Sequence, residues 1–171
     1  MSQSYILQLA NRILLLAKTR NPYEIANNLG IHLMFTNLGS LNGFYKLESR
    51  NRFIVINSNL TDYIQRLVCA HEIGHDQIHR DLARHVFLQE FMLYDMKSRP
   101  EYEANLFASE ILLDDDGIED HARMGYDFDQ IARMLYIDKN LLAIKMQAMN
   151  FKGYNFNIPI AYNSSFLGQK I

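Results

Sequence analysis

Two histidines four residues apart, with a glutamate directly after the first, stand inside a proline-free run from Thr61 to Arg80: His71-Glu72-Ile73-Gly74-His75. On a helix, with about 100° between successive residues, positions four apart lie about 40° from one another, so both imidazoles share a face with Glu72 beside them. Two imidazoles so placed form a bidentate grip for a metal ion. Zn²⁺ is the natural occupant, and the Glu72 carboxylate is left free to act on a water that the metal activates. Ile64, Leu67, Val68 and Ile78 fall on the same side, which sets the pair in an apolar stripe. A buried polar group without a partner costs roughly 1–3 kcal/mol, so two such groups ask for a shared ion. The chemistry that follows is metal-assisted hydrolysis.

A catalytic zinc site takes three protein ligands and keeps one position open. An extension with Gly three and His six residues past His75 is absent, because Ile78 and Asp81 stand there, so a metzincin arrangement is not expected. Asp81 also lacks the glycine that would turn the chain back towards the metal. The run Glu101 to Leu113 offers more. With Glu101 at zero, Asn105, Ala108 and Leu112 lie within about 40° and Ala104 within about 60°, so Glu101 heads an inward stripe of small and apolar residues. Glu103 lies about 200° away beside Glu110, on the side expected to face water. Glu101 is therefore the preferred third ligand and Glu103 the alternative, although acids at a helix start are favoured by its dipole in any case. Ala104 and Ala108 would let this helix approach the metal helix closely, as Gly74 would from the other side.

The elements that must hold these residues read as follows. Ile6, Leu9, Ile13 and Leu16 mark a first amphipathic helix ending near Thr19. Asn21 and Pro22 suit the cap and first turn of a short second helix closed by Gly30. Ile31 to Phe35, Gly43 to Glu48 and Arg52 to Asn57 read as three strands, the last two a hairpin. Arg84 to Asp95 reads as a helix or ordered loop, and Ser98-Arg99-Pro100 opens the Glu101 helix. That helix runs to an acidic turn, Asp114-Asp115-Asp116-Gly117. Further helices follow, with Asp138 capping 140–150, and an Asn- and aromatic-rich tail begins at Gly153. The expected fold is α+β: a mostly helical, zincin-like domain over residues 1–152, with a small three-stranded antiparallel sheet packed against the HExxH helix, and an irregular tail over 153–171.

Composition narrows the function. The 171 residues carry 17 Lys and Arg against 19 Asp and Glu, a net charge of −2 with no basic cluster, which argues against a general nucleic-acid or membrane-surface role. The single cysteine, Cys69, cannot form an internal disulfide and sits about 160° round the helix from His71. No secretory signal and no membrane span are expected, and a cytoplasmic location follows.

Taken together, His71-Glu72-Ile73-Gly74-His75 and the segment Glu101 to Leu113 resemble the ImmA/IrrE family of metallo-endopeptidases, whose pattern is HExGH followed by a helix reading ExxAxxFAxxLL. The Pro22 to Ala26 segment and the Asn42-Gly43 hairpin are similar too, so the likeness covers roughly residues 20 to 115. Asp114 stands where family members often have proline. The resemblance implies His71, His75 and Glu101 as zinc ligands, Glu72 as general base, and a gluzincin-like endopeptidase. It further implies a protein substrate, a DNA-binding repressor of a mobile element or a stress response. His79, His85, Tyr94, His121 and Tyr126 are candidates to stabilise the oxyanion, and His79 also to support a ligand from behind. Two other functions compete. One is a zinc-stabilised protein-binding or sensing module without turnover. The other is DNA binding through Phe128 to Ile144, whose spacing resembles a helix-turn-helix, although a helical pair completing the core is the simpler reading.

Overall fold

The computed structural model describes residues 1–81, 88–90 and 98–159. Among these, the chain forms seven helices and four strands: α1 (Gln3–Ala17), α2 (Pro22–Asn28), β1 (His32–Thr36), β2 (Gly43–Glu48), β3 (Asn51–Asn57), α3 (Asp62–Ile78), β4 (Leu88–Glu90), α4 (Arg99–Leu112), α5 (Asp115–Arg123), α6 (Phe128–Met134) and α7 (Lys139–Phe151). They fall into two compact units, Met1–Leu112 and Leu113–Ile171.

In the first unit the strands order as β1-β3-β2-β4. The expected hairpin is present, with Tyr45 opposite Ile54 and Gly43 opposite Ile56. Alternation along both strands sends Gly43, Tyr45, Ile54 and Ile56 to one face, where all four are buried. That face packs on α3, as anticipated. A Cβ on Gly43 would sit 2.5 Å from Val68 Cγ1 and 2.9 Å from the Val55 carbonyl, so only glycine lets the hairpin lie this close to the helix. The α+β class holds, but the sheet is mixed and one strand larger than expected. β1 joins β3 in parallel, the chain passing through β2 on its way from one to the other instead of turning back in a hairpin. β4 pairs antiparallel with β2 inside the stretch read as helix or loop; the rest of that stretch, with His85 and Tyr94, lies outside the described residues.

The helix starts follow the chain's own capping chemistry. The Asn21 side chain accepts from the Tyr23 N–H at 3.1 Å with Pro22 next to it, and Asp138 accepts from the Asn140 N–H at 2.7 Å. Asp127 and Gln130 form a reciprocal capping box on α6. The acidic segment after α4 is a helix start instead of a free turn. Asp114 caps α5, and Asp115 and Asp116 occupy its first turn, where the dipole favours them. In α1 the buried set is Ile6, Leu7, Ala10 and Ile13, whereas Leu16 is 75% exposed. The helix is thus rotated from the expected face so that small Ala10 lies inside.

In the second unit, α6 and α7 form the expected helical pair, with Ile131, Leu141, Leu142 and Met146 buried. Lys145 is also buried and pairs with Asp115 at 2.5 Å, while Lys152 meets the same carboxylate at 2.9 Å. The start of the tail packs irregularly: the Asn150 amide donates to Phe156 O and accepts from Phe156 N. Among the described residues no helix is long and apolar enough to cross a membrane.

Candidate metal centre

α3 is the axis of the first unit. The sheet lies on one side and α4 on another, so every residue from Leu67 to Asp76 is buried and the expected apolar stripe is in fact a fully enclosed segment. Gly74 sets the spacing to α4. A Cβ there would meet Ala104 Cα at 3.1 Å and Ala104 O at 3.3 Å, so the two backbones touch at this point. Arg20 closes the far end of α4, donating to the carbonyls of Glu110 at 2.8 Å and Ile111 at 3.1 Å.

This packing brings one atom each from His71, His75 and Glu101 within 4.8 Å of one another. His71 Nε2 and His75 Nε2 are 3.0 Å apart, and the Glu101 carboxylate lies 3.2 Å from the first and 3.6 Å from the second. Both imidazoles are almost fully enclosed while Glu101 is a quarter exposed, so solvent reaches the cluster from the Glu101 side. Glu72, 1% exposed, follows His71 on the same helix.

The far sides of the two rings decide what the near sides offer. His71 Nδ1 lies 2.9 Å from Asn105 Oδ1, an acceptor, so Nδ1 carries the proton and Nε2 presents a lone pair. A second proton on a ring would make an imidazolium. For His75 burial disfavours this, lowering its pKa to about 4 against the opposing pull of the Glu101 carboxylate. Burial pushes the Glu101 carboxyl up, but the two adjoining imidazoles, His71 and His75, outweigh it and hold the group well below the usual carboxylate range. A carboxylate and two imidazole nitrogens converging at such distances form a donor set that a divalent metal ion fits.

Of the other candidates, Glu103 is buried, contrary to the expectation of a wet face. α4 packs against α1 as well as α3, so its side away from the cluster is covered too. Glu103 does not join the cluster; its carboxylate meets His79, Arg99 and the Met1 ammonium. Asp81 is exposed and outside the cluster. His121 and Tyr126 lie against each other in the second unit, the ring centres 5.9 Å apart and tilted by 35°. Cys69 is buried, and burial first, then the charge of Glu72, raise its thiol far above its ordinary range.

Two supporting residues are not announced by the sequence. Phase puts Asn105 on the inward stripe, but spacing alone says nothing of its bond to His71. Asp76, fully buried directly after His75, accepts from Tyr45 Oη at 2.7 Å, Arg52 Nη1 at 3.1 Å and Arg80 Nη2 at 3.0 Å. An acid immediately after a ligand-type histidine, with arginines on the preceding hairpin, is the one signal that points to it.

An enclosed His-His-Glu cluster, set on two touching helices beside a small sheet, is the arrangement of a metallopeptidase. The sequence profile of the IrrE N-terminal-like domain, peptidase M78, matches residues 26–147. An uncharacterized immunity region protein 2 of Bacillus phage phi105 is 40% identical over 129 residues, which is 75% of this chain and 80% of that protein. The metallopeptidase ImmA of Bacillus subtilis strain 168 is 31% identical over 116 residues, 67% of this chain and 68% of that one. The chain belongs to the ImmA/IrrE metallopeptidase family.

Proposed function

We propose that this chain is a cytoplasmic zinc endopeptidase that cuts a DNA-binding repressor. The observation that carries the chemistry is the convergence of His71, His75 and Glu101, with Glu72 buried on the helix that supplies both imidazoles. His71, His75 and Glu101 would hold the ion, which when bound acidifies a water towards neutral pH and polarises a peptide carbonyl. Glu72 would serve as the general base, accepting a proton from the attacking water and returning it to the departing amine. Asn105 keeps the His71 lone pair aimed at the cluster, and the ionised Glu101 supplies the negative charge that favours a cation there. The enclosing helices exclude bulk water from all sides but that of Glu101, where an extended peptide would enter.

The substrate class draws support from two sources. The phage relative is named for an immunity region, and the chain belongs to the ImmA/IrrE family. The acidic net charge of −2 favours a protein over duplex DNA as the partner.

The test uses purified protein and a candidate DNA-binding repressor, sought first among the genes that flank its own. Zinc-loaded wild type should yield two fragments, and chelator should stop it. Glu72→Gln should keep one zinc per chain yet lose about 10²–10⁴-fold in cleavage rate, the usual contribution of a general base. A variant cutting as fast as wild type removes Glu72 from the mechanism. Wild type that binds zinc and repressor but never cuts would instead mark a non-catalytic module.

A further inference from the structure

His79, the C-cap of α3, stands four residues beyond His75, so the histidines repeat along one side as His71, His75 and His79. The rings of His75 and His79 lie 5.2 Å apart at a tilt of 51°, and their Nδ1 atoms are 3.1 Å apart. Between two nitrogens at that distance there is room for one proton. Its owner is decided on the other side of His79, where Nε2 lies 2.9 Å from Glu103 Oε2. An ionised carboxylate only accepts, so His79 Nε2 carries the hydrogen. The Glu103 carboxylate is anchored in turn by Arg99 Nε at 2.9 Å. With its hydrogen on Nε2, His79 turns Nδ1 towards His75 as an acceptor, and His75 Nδ1–H donates to it. His75 Nε2 is left as a bare lone pair directed at His71 and Glu101.

We propose that His79, held by Glu103, is a positioning residue that sets the tautomer and tilt of His75, as Asn105 does for His71. This rests on the metal-site reading above. It gives the buried Glu103 a role although it is not a ligand, and it assigns His79 to the back of a ligand and not to the oxyanion. A buried carboxylate–imidazole pair behind a ligating histidine raises the basicity of that ligand and fixes its orientation, and such partners are worth about 10–100-fold in metal affinity.

Two variants separate this role from simple packing. His79→Leu removes both hydrogen bonds. His79→Gln keeps an amide oxygen to accept from His75 and an amide N–H to donate to Glu103. Zinc affinity is read by competition with a chromophoric chelator, with the unfolding midpoint of the metal-free protein as a control for folding. His79→Leu should bind zinc about 10–100-fold more weakly, and His79→Gln should recover most of the loss. Equal affinity in His79→Leu and wild type, or no recovery in His79→Gln, overturns the assignment. The tautomer is read independently from ¹⁵N–¹H correlations of metal-free wild type at about pH 8. A proton on His75 Nδ1 is expected, and one on Nε2 overturns the proposal even if His79→Leu does not fold. Failure of wild type to bind zinc at all would sink the metal reading instead, leaving the tautomer still measurable.

Discussion

Gly74→Ala adds one carbon at the tightest point between α3 and α4, and the effect can be worked through. The new Cβ would lie 3.1 Å from Ala104 Cα, 3.3 Å from Ala104 O and 3.4 Å from Ala104 Cβ. Comfortable carbon contacts need about 3.5–4.0 Å, so α4 must retreat by about half an ångström. Two of the three obstructing atoms belong to the backbone, which no change of rotamer can move. Overpacking of this kind costs about 1–3 kcal/mol, while replacing a helical glycine returns about 1 kcal/mol, so the metal-free protein should lose only about 0–2 kcal/mol. The larger effect falls on the cluster. Glu101 lies three residues before Ala104 on the helix that shifts, and His71 and His75 lie on the helix that does not. Metal–ligand distances tolerate about 0.2 Å, so a half-ångström retreat should weaken zinc binding about tenfold or more, about 1.4 kcal/mol. Urea unfolding of wild type and variant, without metal and at one fixed free zinc concentration, separates the two effects. The zinc-dependent gain in stability should shrink by about 1.4 kcal/mol beyond any loss seen without metal. An undiminished gain would refute the idea that this glycine sets the spacing of the ligands.

Two further perturbations address other parts of the molecule. Asp76→Ala takes away the shared acceptor of Tyr45, Arg52 and Arg80 and should lower the stability of the zinc-free protein by about 3 kcal/mol in urea. That is the lower end of the range for a broken buried pair, since Arg52 is 23% exposed and can be rehydrated; a loss below about 1 kcal/mol would show that the carboxylate is no anchor. In the second unit, burial pushes the Asp115 carboxyl up, but hydrogen bonds from Lys145 and Lys152 win and hold it below its ordinary value. A carboxyl depressed in the folded state contributes stability above the unfolded value of about 3.9, and the contribution fades as pH falls through the folded one. Asp115→Asn should therefore be less stable than wild type at neutral pH, and the gap should close below about pH 4; a gap that stays constant into acid would exclude the ion pair as its source.

Much of the centre is legible from spacing alone. The i, i+4 histidines and the phase of Glu101 depend only on the 3.6-residue turn, and the small residues Gly74 and Ala104 already point to a close crossing of their helices. The fate of Glu103 is not legible this way, because phase gives an angle around one helix and not the number of neighbours around it. With α1 on one flank and α3 on the other, α4 has almost no wet side. Strand direction is hidden for a related reason: alternation in His32–Thr36 is the same whether the neighbour runs parallel or antiparallel. At three residues, Leu88–Glu90 is too short to show a period at all.

The carboxylate of Asp76 grips a residue from each strand of the hairpin, Tyr45 on β2 and Arg52 on β3, from the helical position just after His75. Sliding one strand past the other by a single step would throw either the phenol or the guanidinium to the opposite surface, so this clamp forbids a misaligned ribbon. Slow-exchanging amides on both strands and in the middle of α3 would accordingly open in one event, making the hairpin a brace that cannot loosen without dropping the histidines.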